Sequence, residues 1–518
     1  MSIYSMRRSD DLFHLIKSLT KSEKRYFKLF SQQQSGDDKN YMVLFDKIEE
    51  QHEYNEELIL KQFADKQFAK QLHVVKNYLY NLILKSMRVY NAGKTVDIKI
   101  QDAIRDADFL FDKGLYNQAN KLLVKADELA REHEEHTLNL EVIRRIREVI
   151  RELDHDEVPA KLRMDLLTRE KELLVLIDNV NAYKTLSATI LYSLQTHGVY
   201  RTKEDWVAID EIFANPLLHD ESRALTYLSK KYLFHIRGAY YSAKYDYQNA
   251  YEASKKLIET FESWIERNKE EVVDYIYALT NHLIDCFNCQ RFDEFLAGVE
   301  KIKKIIAEHD TPSLNFELQV FKTTSNLELT YYMQTAQFDK GIALAVDVEA
   351  TMKKYKDYLD SPNQIILAYN LALLYFYVGR YDQSLRWANV IINDTNELAR
   401  EDVYCFARIM SLLLHFELGN VDLLEHILKS TLRYLSKRNR LYKVESLVMN
   451  YIKKFRVAKD DTQLKSNFKQ MLEEALELEQ DPYERSAYSY LDLISWLQHK
   501  IENKPMEEFI RSRITPVV

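Results

Sequence analysis

Glycine and proline are scarce in this chain, nine and seven in 518 residues. That leaves little material for tight turns, and no stretch alternates apolar and polar residues with the period of two that marks a half-buried strand. Three cysteines are too few for a disulfide framework and point to a reducing compartment. No run of about 18 apolar residues occurs, so no membrane span is expected. The opening MSIYSMRRSDDLFHLIK lacks the apolar core of a signal peptide, and the chain shows no lipidation motif. A soluble cytoplasmic protein is the expectation. Phosphate loops and nucleophile motifs are missing too: Gly93-Lys94-Thr95 ends like a P-loop, but Arg88 stands where that motif needs its first glycine. Neither an enzyme nor a cofactor is expected.

What the chain does have is helical periodicity, rich in Leu, Lys, Glu, Ala and Tyr. An all-α fold is the reading. The clearest stretch runs from Ile365 to Asp394, IILAYNLALLYFYVGRYDQSLRWANVIIND. Ala368, Ala372 and Tyr375 recur at helical spacing in its first half, and Ser384, Ala388 and Ile391 in its second. Small residues let two helices approach closely, and Gly379 can take the left-handed conformation that ends the first of them. Other segments share this register. Tyr116 is followed by Ala119, Leu123 and Ala126, and Tyr247 by Ala250, Ser254 and Leu257, with Gly238 and Tyr241 before it. Phe292, Phe338 and Val421 hold the same turn position, Gly419 preceding the last, and Tyr200 and Val158 are weaker copies.

This pattern resembles the tetratricopeptide repeat. The resemblance implies a right-handed α-solenoid of helix-turn-helix units over residues 96–480. The turn residues, from Tyr116 on, are spaced by 42, 42, 47, 45, 46, 43 and 40 positions. The family repeat is about 34 residues, so these units are degenerate and carry longer helices. Each unit packs on its neighbours, which removes the several-domain expectation that length alone would give.

In that family the first helix of each unit lines a concave groove that holds a protein or peptide. The resemblance places Gln101, Asp108 and Asp112 there, then Tyr232 and His235, then Asn326, Thr330 and Gln334, and finally Tyr369, Phe376 and Tyr377. Tyrosines and amides suit an extended or helical peptide; the same tyrosines could instead fill space between helices. The Lys and Asn pairs with which one variant of the family clamps a terminal carboxylate are missing, so carboxylate capture is not expected. A protein- or peptide-binding scaffold is the leading expectation for function.

Residues 1–95 fall outside the repeat. Thr20-Lys21-Ser22-Glu23 is a capping box that opens a helix, and a long helix is expected from about Lys66 to Tyr90. This module carries 16 Lys and Arg against 12 Asp and Glu, a surplus of four, whereas the remainder has 56 against 68. It reads as a cap on the first repeat. The alternative is a nucleic-acid-binding helix-turn-helix, with Lys66, Lys70 and Lys76 facing phosphates, in a regulator whose repeat array senses a peptide. Residues 481–518 are expected to form a C-terminal capping helix and tail.

Three further clusters stand out. His155 lies between Asp154 and Asp156 in what reads as a charged loop. His282, Cys286 and Cys289 share one side of a helix, but a structural zinc site wants four ligands and the sequence has no second cysteine pair. Packing is the favoured reading, and no metal is expected. Lys429 to Lys443 holds six basic residues and no acid, a solvated helix end or a patch for phosphate or an acidic partner.

Overall fold

The computed structural model describes residues 10–32, 40–62, 71–153, 160–197, 200–264, 271–308, 314–356, 358, 359, 361–394 and 400–514. Among them the secondary structure is helical throughout, with no strand, and consecutive helices pack on one another. No helix is long and apolar enough to cross a membrane. The chain divides into two compact units, Met1–Ile177 with Thr311–Leu314, and Asp178–Asp310 with Asn315–Val518.

The first unit holds two clusters. Five helices, from Asp11–Ser18 to Leu72–Tyr90, close over Ile16, Phe27, Leu44, Phe45, Leu79 and Ile83. The Thr20 capping box forms: the Thr20 N–H donates to Glu23 at 2.7 Å and the Glu23 N–H to the Thr20 hydroxyl at 3.3 Å. Helices Val96–Asp112, Tyr116–Glu132 and His136–Glu152 then pack through Ile100, Ile104, Ala119, Leu123 and Ile143.

The second unit is a run of helical hairpins. Their second helices begin at Tyr247, Phe292, Phe338, Tyr381 and Val421, as Tyr116 begins one in the first unit. These are six of the eight turn residues read from the sequence; no helix begins at Tyr200, the next one starting at Lys203. Two positions before each, the backbone is left-handed, at Gly114, Tyr245, Gln290, Ala336, Gly379 and Gly419. The following N–H then bonds back to a carbonyl five residues earlier, as Arg380 does to Tyr375 at 2.8 Å and Arg291 to Cys286 at 2.8 Å. This is the Schellman closure, which satisfies carbonyls that the helix end leaves open. Ala368, Ala372, Ser384, Ala388 and Ile391 are all fully buried. The Ser384 hydroxyl donates to the Ala372 carbonyl at 2.6 Å, so the small residues bring the two helices within hydrogen-bonding reach. Val158, Gly198, Val199 and His155 lie outside the described residues.

Candidate functional site

A cleft of about 600 Å³ opens in the second unit, a volume within the range of ligand sites. One wall comes from first helices of successive hairpins, with Thr330 and Gln334 on Leu314–Gln334 and Tyr369, Asn370 and Tyr377 on Ser361–Tyr377. The other comes from the end of the chain, Tyr488 to Asp492 and Arg513. Asn288, Gln290 and Phe292 line it at the neighbouring hairpin turn.

The C-terminal segment is held by its own array. The Tyr369 hydroxyl donates to the Tyr490 carbonyl at 2.9 Å, and the Asp492 N–H donates to the Tyr377 hydroxyl at 3.3 Å. Leu491 between them is extended, with φ −149° and ψ 116°. The Tyr490 ring stacks on Phe406 with centroids 4.5 Å apart. Its hydroxyl donates to Asp402, which Arg400 also grips at 2.8 and 3.1 Å. Burial works against the Asp402 charge, yet Arg400 and Tyr490 together hold its carboxyl below the ordinary value. Burial raises the Tyr369, Tyr377 and Tyr490 hydroxyls, so all three stay protonated and neutral.

Two anchors fix this segment on either side. Trp496 is fully buried against Phe416, Phe455 and Phe468, and its indole N–H donates to Glu417 at 2.6 Å. Upstream, the Arg201 guanidinium bonds Glu445 and Glu484 while lying 4.3 Å from the centre of the Tyr442 ring. All three charged side chains are 5% exposed or less. Glu484 in turn accepts the backbone N–H groups of Lys443 and Val444, capping the Lys443–Arg456 helix.

The structure gathers four of the eleven groove residues read from the sequence, Thr330, Gln334, Tyr369 and Tyr377, into this cleft. Phe376, with no exposed surface, packs between Tyr377 and Tyr381 as interhelical filler. Asn326 is not in the cleft lining; it accepts from the Asn370 amide at 2.9 Å, tying two first helices together. His235 lines a separate cavity of about 420 Å³ with Gly238, Asn281 and Asp285, and burial lowers its pKa. Tyr232 is half-buried and packs on the core around that cavity. Gln101, Asp108 and Asp112 sit on the first unit's Val96–Asp112 helix, where Asp108 pairs with Arg145 at 3.3 Å.

Lys66 and Lys70 lie outside the described residues. Lys76 is turned inward, 2.9 Å from Glu56 and 2.7 Å from the Tyr54 hydroxyl, with its side chain 15% exposed. Four of the six basic residues in 429–443 are also in ion pairs: Lys429 with Glu425, Arg438 and Arg440 with Glu401, and Lys443 with Asp481.

Sequence reasoning missed the far wall. Arg400 and the Tyr488–Asp492 stretch, and Asn370 on the near wall, are absent from the groove residues that the sequence offers, where 481–518 reads as an end cap. One signal could have found them: Tyr483, Tyr488, Tyr490 and Trp496 fall within fourteen residues, more ring surface than a cap with one wet face can bury. No protein-family model matches this chain, and no curated protein matches it.

Proposed function

We propose that this protein is a non-enzymatic scaffold of the cytoplasm, a right-handed solenoid of tetratricopeptide type, that binds a protein or peptide through the concave face of its first helices. The observation that carries this is the grip of Tyr369 and Tyr377 on the carbonyl of Tyr490 and the N–H of Asp492. Two side chains on one helix face thereby hold an extended main chain, which is the chemistry an incoming peptide requires. The remaining cleft adds the amides of Asn370, Gln334 and Gln290 and the Thr330 hydroxyl, which suit backbone N–H and carbonyl groups. Its two arginines have acidic partners, Arg400 in Asp402 and Arg513 in Glu479. That favours a neutral stretch of main chain over a phosphate or a terminal carboxylate.

The test is selection of short peptides from a random displayed library on the intact protein. Binders should emerge whose affinity falls tenfold or more, about 1.4 kcal/mol, with Asn370→Ala or Gln334→Ala. Failure to select any binder, or binders indifferent to both substitutions, would remove the proposal.

A further inference from the structure

His282, Cys286 and Glu294 converge in the second unit, outside the cleft. His282 and Cys286 lie one turn apart on the Val272–Asn288 helix, and Glu294 comes from Phe292–Ala307 across the Gln290 turn. The His282 Nε2 is 3.5 Å from the Cys286 Sγ, and one carboxylate oxygen of Glu294 completes a triangle with every side within 4.8 Å. A nitrogen and a sulfur on one tetrahedral zinc stand about 3.6 Å apart, given bonds near 2.0 and 2.3 Å. The histidine-cysteine pair is therefore already at ligand separation. Glu294 stands half-exposed beside that pair.

The outer shell is also in place. The Ser254 hydroxyl lies 3.1 Å from the Tyr251 carbonyl and 2.9 Å from His282 Nδ1, and it also bonds the Asp285 carboxylate. In the tautomer whose Nδ1–H donates to the Ser254 oxygen, the Nε2 lone pair is turned toward the sulfur, the arrangement a metal-ligating imidazole needs. The Tyr251 ring stacks on the imidazole, and its hydroxyl orients Glu294 at 2.8 Å. Arg291 bonds the other Glu294 oxygen at 3.0 Å from the solvent side.

We propose that His282, Cys286 and Glu294 form a three-ligand site for a divalent borderline-soft cation, zinc above all. Binding exchanges the Cys286 S–H proton, released to solvent, for a metal–sulfur bond. The thiolate and carboxylate then balance the two positive charges, and one coordination position stays open to water. Cys289 takes no part, since its sulfur faces the Tyr247 carbonyl at 3.3 Å. The ion joins the two helices beside the turn that carries Asn288, Gln290 and Phe292, so it braces one wall of the cleft.

Cobalt(II) titration of the reduced, metal-stripped intact protein tests this. One equivalent should bind with a thiolate-to-cobalt charge-transfer band and the strong visible bands of a tetrahedral site, and zinc should displace it. Cys286→Ser should abolish the charge-transfer band, and Glu294→Gln, on the exposed side, should weaken binding. Ser254→Ala should cost roughly 10–100-fold in affinity, while Cys289→Ser and Cys405→Ser should leave the spectrum unchanged. A wild type that shows no such band, or a band that survives Cys286→Ser or disappears with Cys289→Ser, overturns the site. Those outcomes hold even where a buried variant misfolds, because the wild-type spectrum and the exposed Glu294→Gln variant decide independently.

Discussion

The Tyr369 hydroxyl and the Tyr490 carbonyl meet at 2.9 Å although 121 positions separate them in the chain. The Tyr488–Asp492 segment is therefore held by the second unit's own helices. Removing this hydroxyl strands a buried carbonyl, which costs about 1–3 kcal/mol. Tyr369→Phe should accordingly lower the urea midpoint of the second unit modestly. Trp496→Ala, which also opens a cavity among three aromatic rings, should cost about 3–5 kcal/mol and lower the midpoint further. Equal midpoints for the two variants would mean the segment is not anchored as described.

Arg201 answers two carboxylates at once. Continuum reasoning makes such a node weak evidence for stability, yet removing its one cation leaves Glu445 and Glu484 buried side by side. Arg201→Met is expected to cost about 3–5 kcal/mol. Glu445→Gln introduced on top of it should recover part of that loss, because one buried charge goes. Additive losses in the double variant, measured by denaturant unfolding, would contradict the pairing.

Much of this was legible in the sequence, and for a physical reason. Turn residues and small residues act locally: Gly379 meets a left-handed requirement, and Ala368 and Ala372 a spacing requirement, whatever else the chain does. The register of six hairpins followed from them. The far wall of the cleft was not legible, since nothing in Tyr488–Asp492 specifies which of many helices it returns to. The groove set split for a related reason. Spacing places Tyr369, Phe376 and Tyr377 on one helix, but their burial depends on neighbours that spacing does not name. Glu294 escaped notice because its register relative to His282 passes through a turn, where helical periodicity breaks.

Burial holds His235 below its ordinary value of 6.5, with Lys231 adding to the effect and Asp274 opposing it. Lys231 is itself paired with Glu271 and Asp274. A depressed histidine is neutral in the folded state and protonated in the unfolded state just below pH 6.5. The unfolded chain then binds more protons, so this contribution is present above the unfolded value and is lost as pH falls toward the folded one. His136 and His415, also lowered by burial, act in the same direction. His235→Gln should flatten the fall in stability below pH 6.5. A denaturation series showing the same acid slope in wild type and variant would count against a buried neutral His235.

The hairpin turns offer a direct trial of the repeat register, because two of them hold different residue types at the same left-handed position. Gly379 has φ +73° and open space where a Cβ would go. Gly379→Ala therefore meets no clash and pays only for the left-handed conformation, about 1–2 kcal/mol. Gln290 holds the matching position at φ 58° with its side chain exposed. Gln290→Gly should relieve that strain and stabilise by on the order of 1 kcal/mol. Glycine is normally a destabilising substitution within a helix, so a gain at Gln290 has no explanation in helix propensity. Opposite shifts of the urea midpoint would show that both turns share one backbone geometry. Shifts of the same sign would mean that the Phe292 turn, despite its matching register, is not closed like the one at Tyr381.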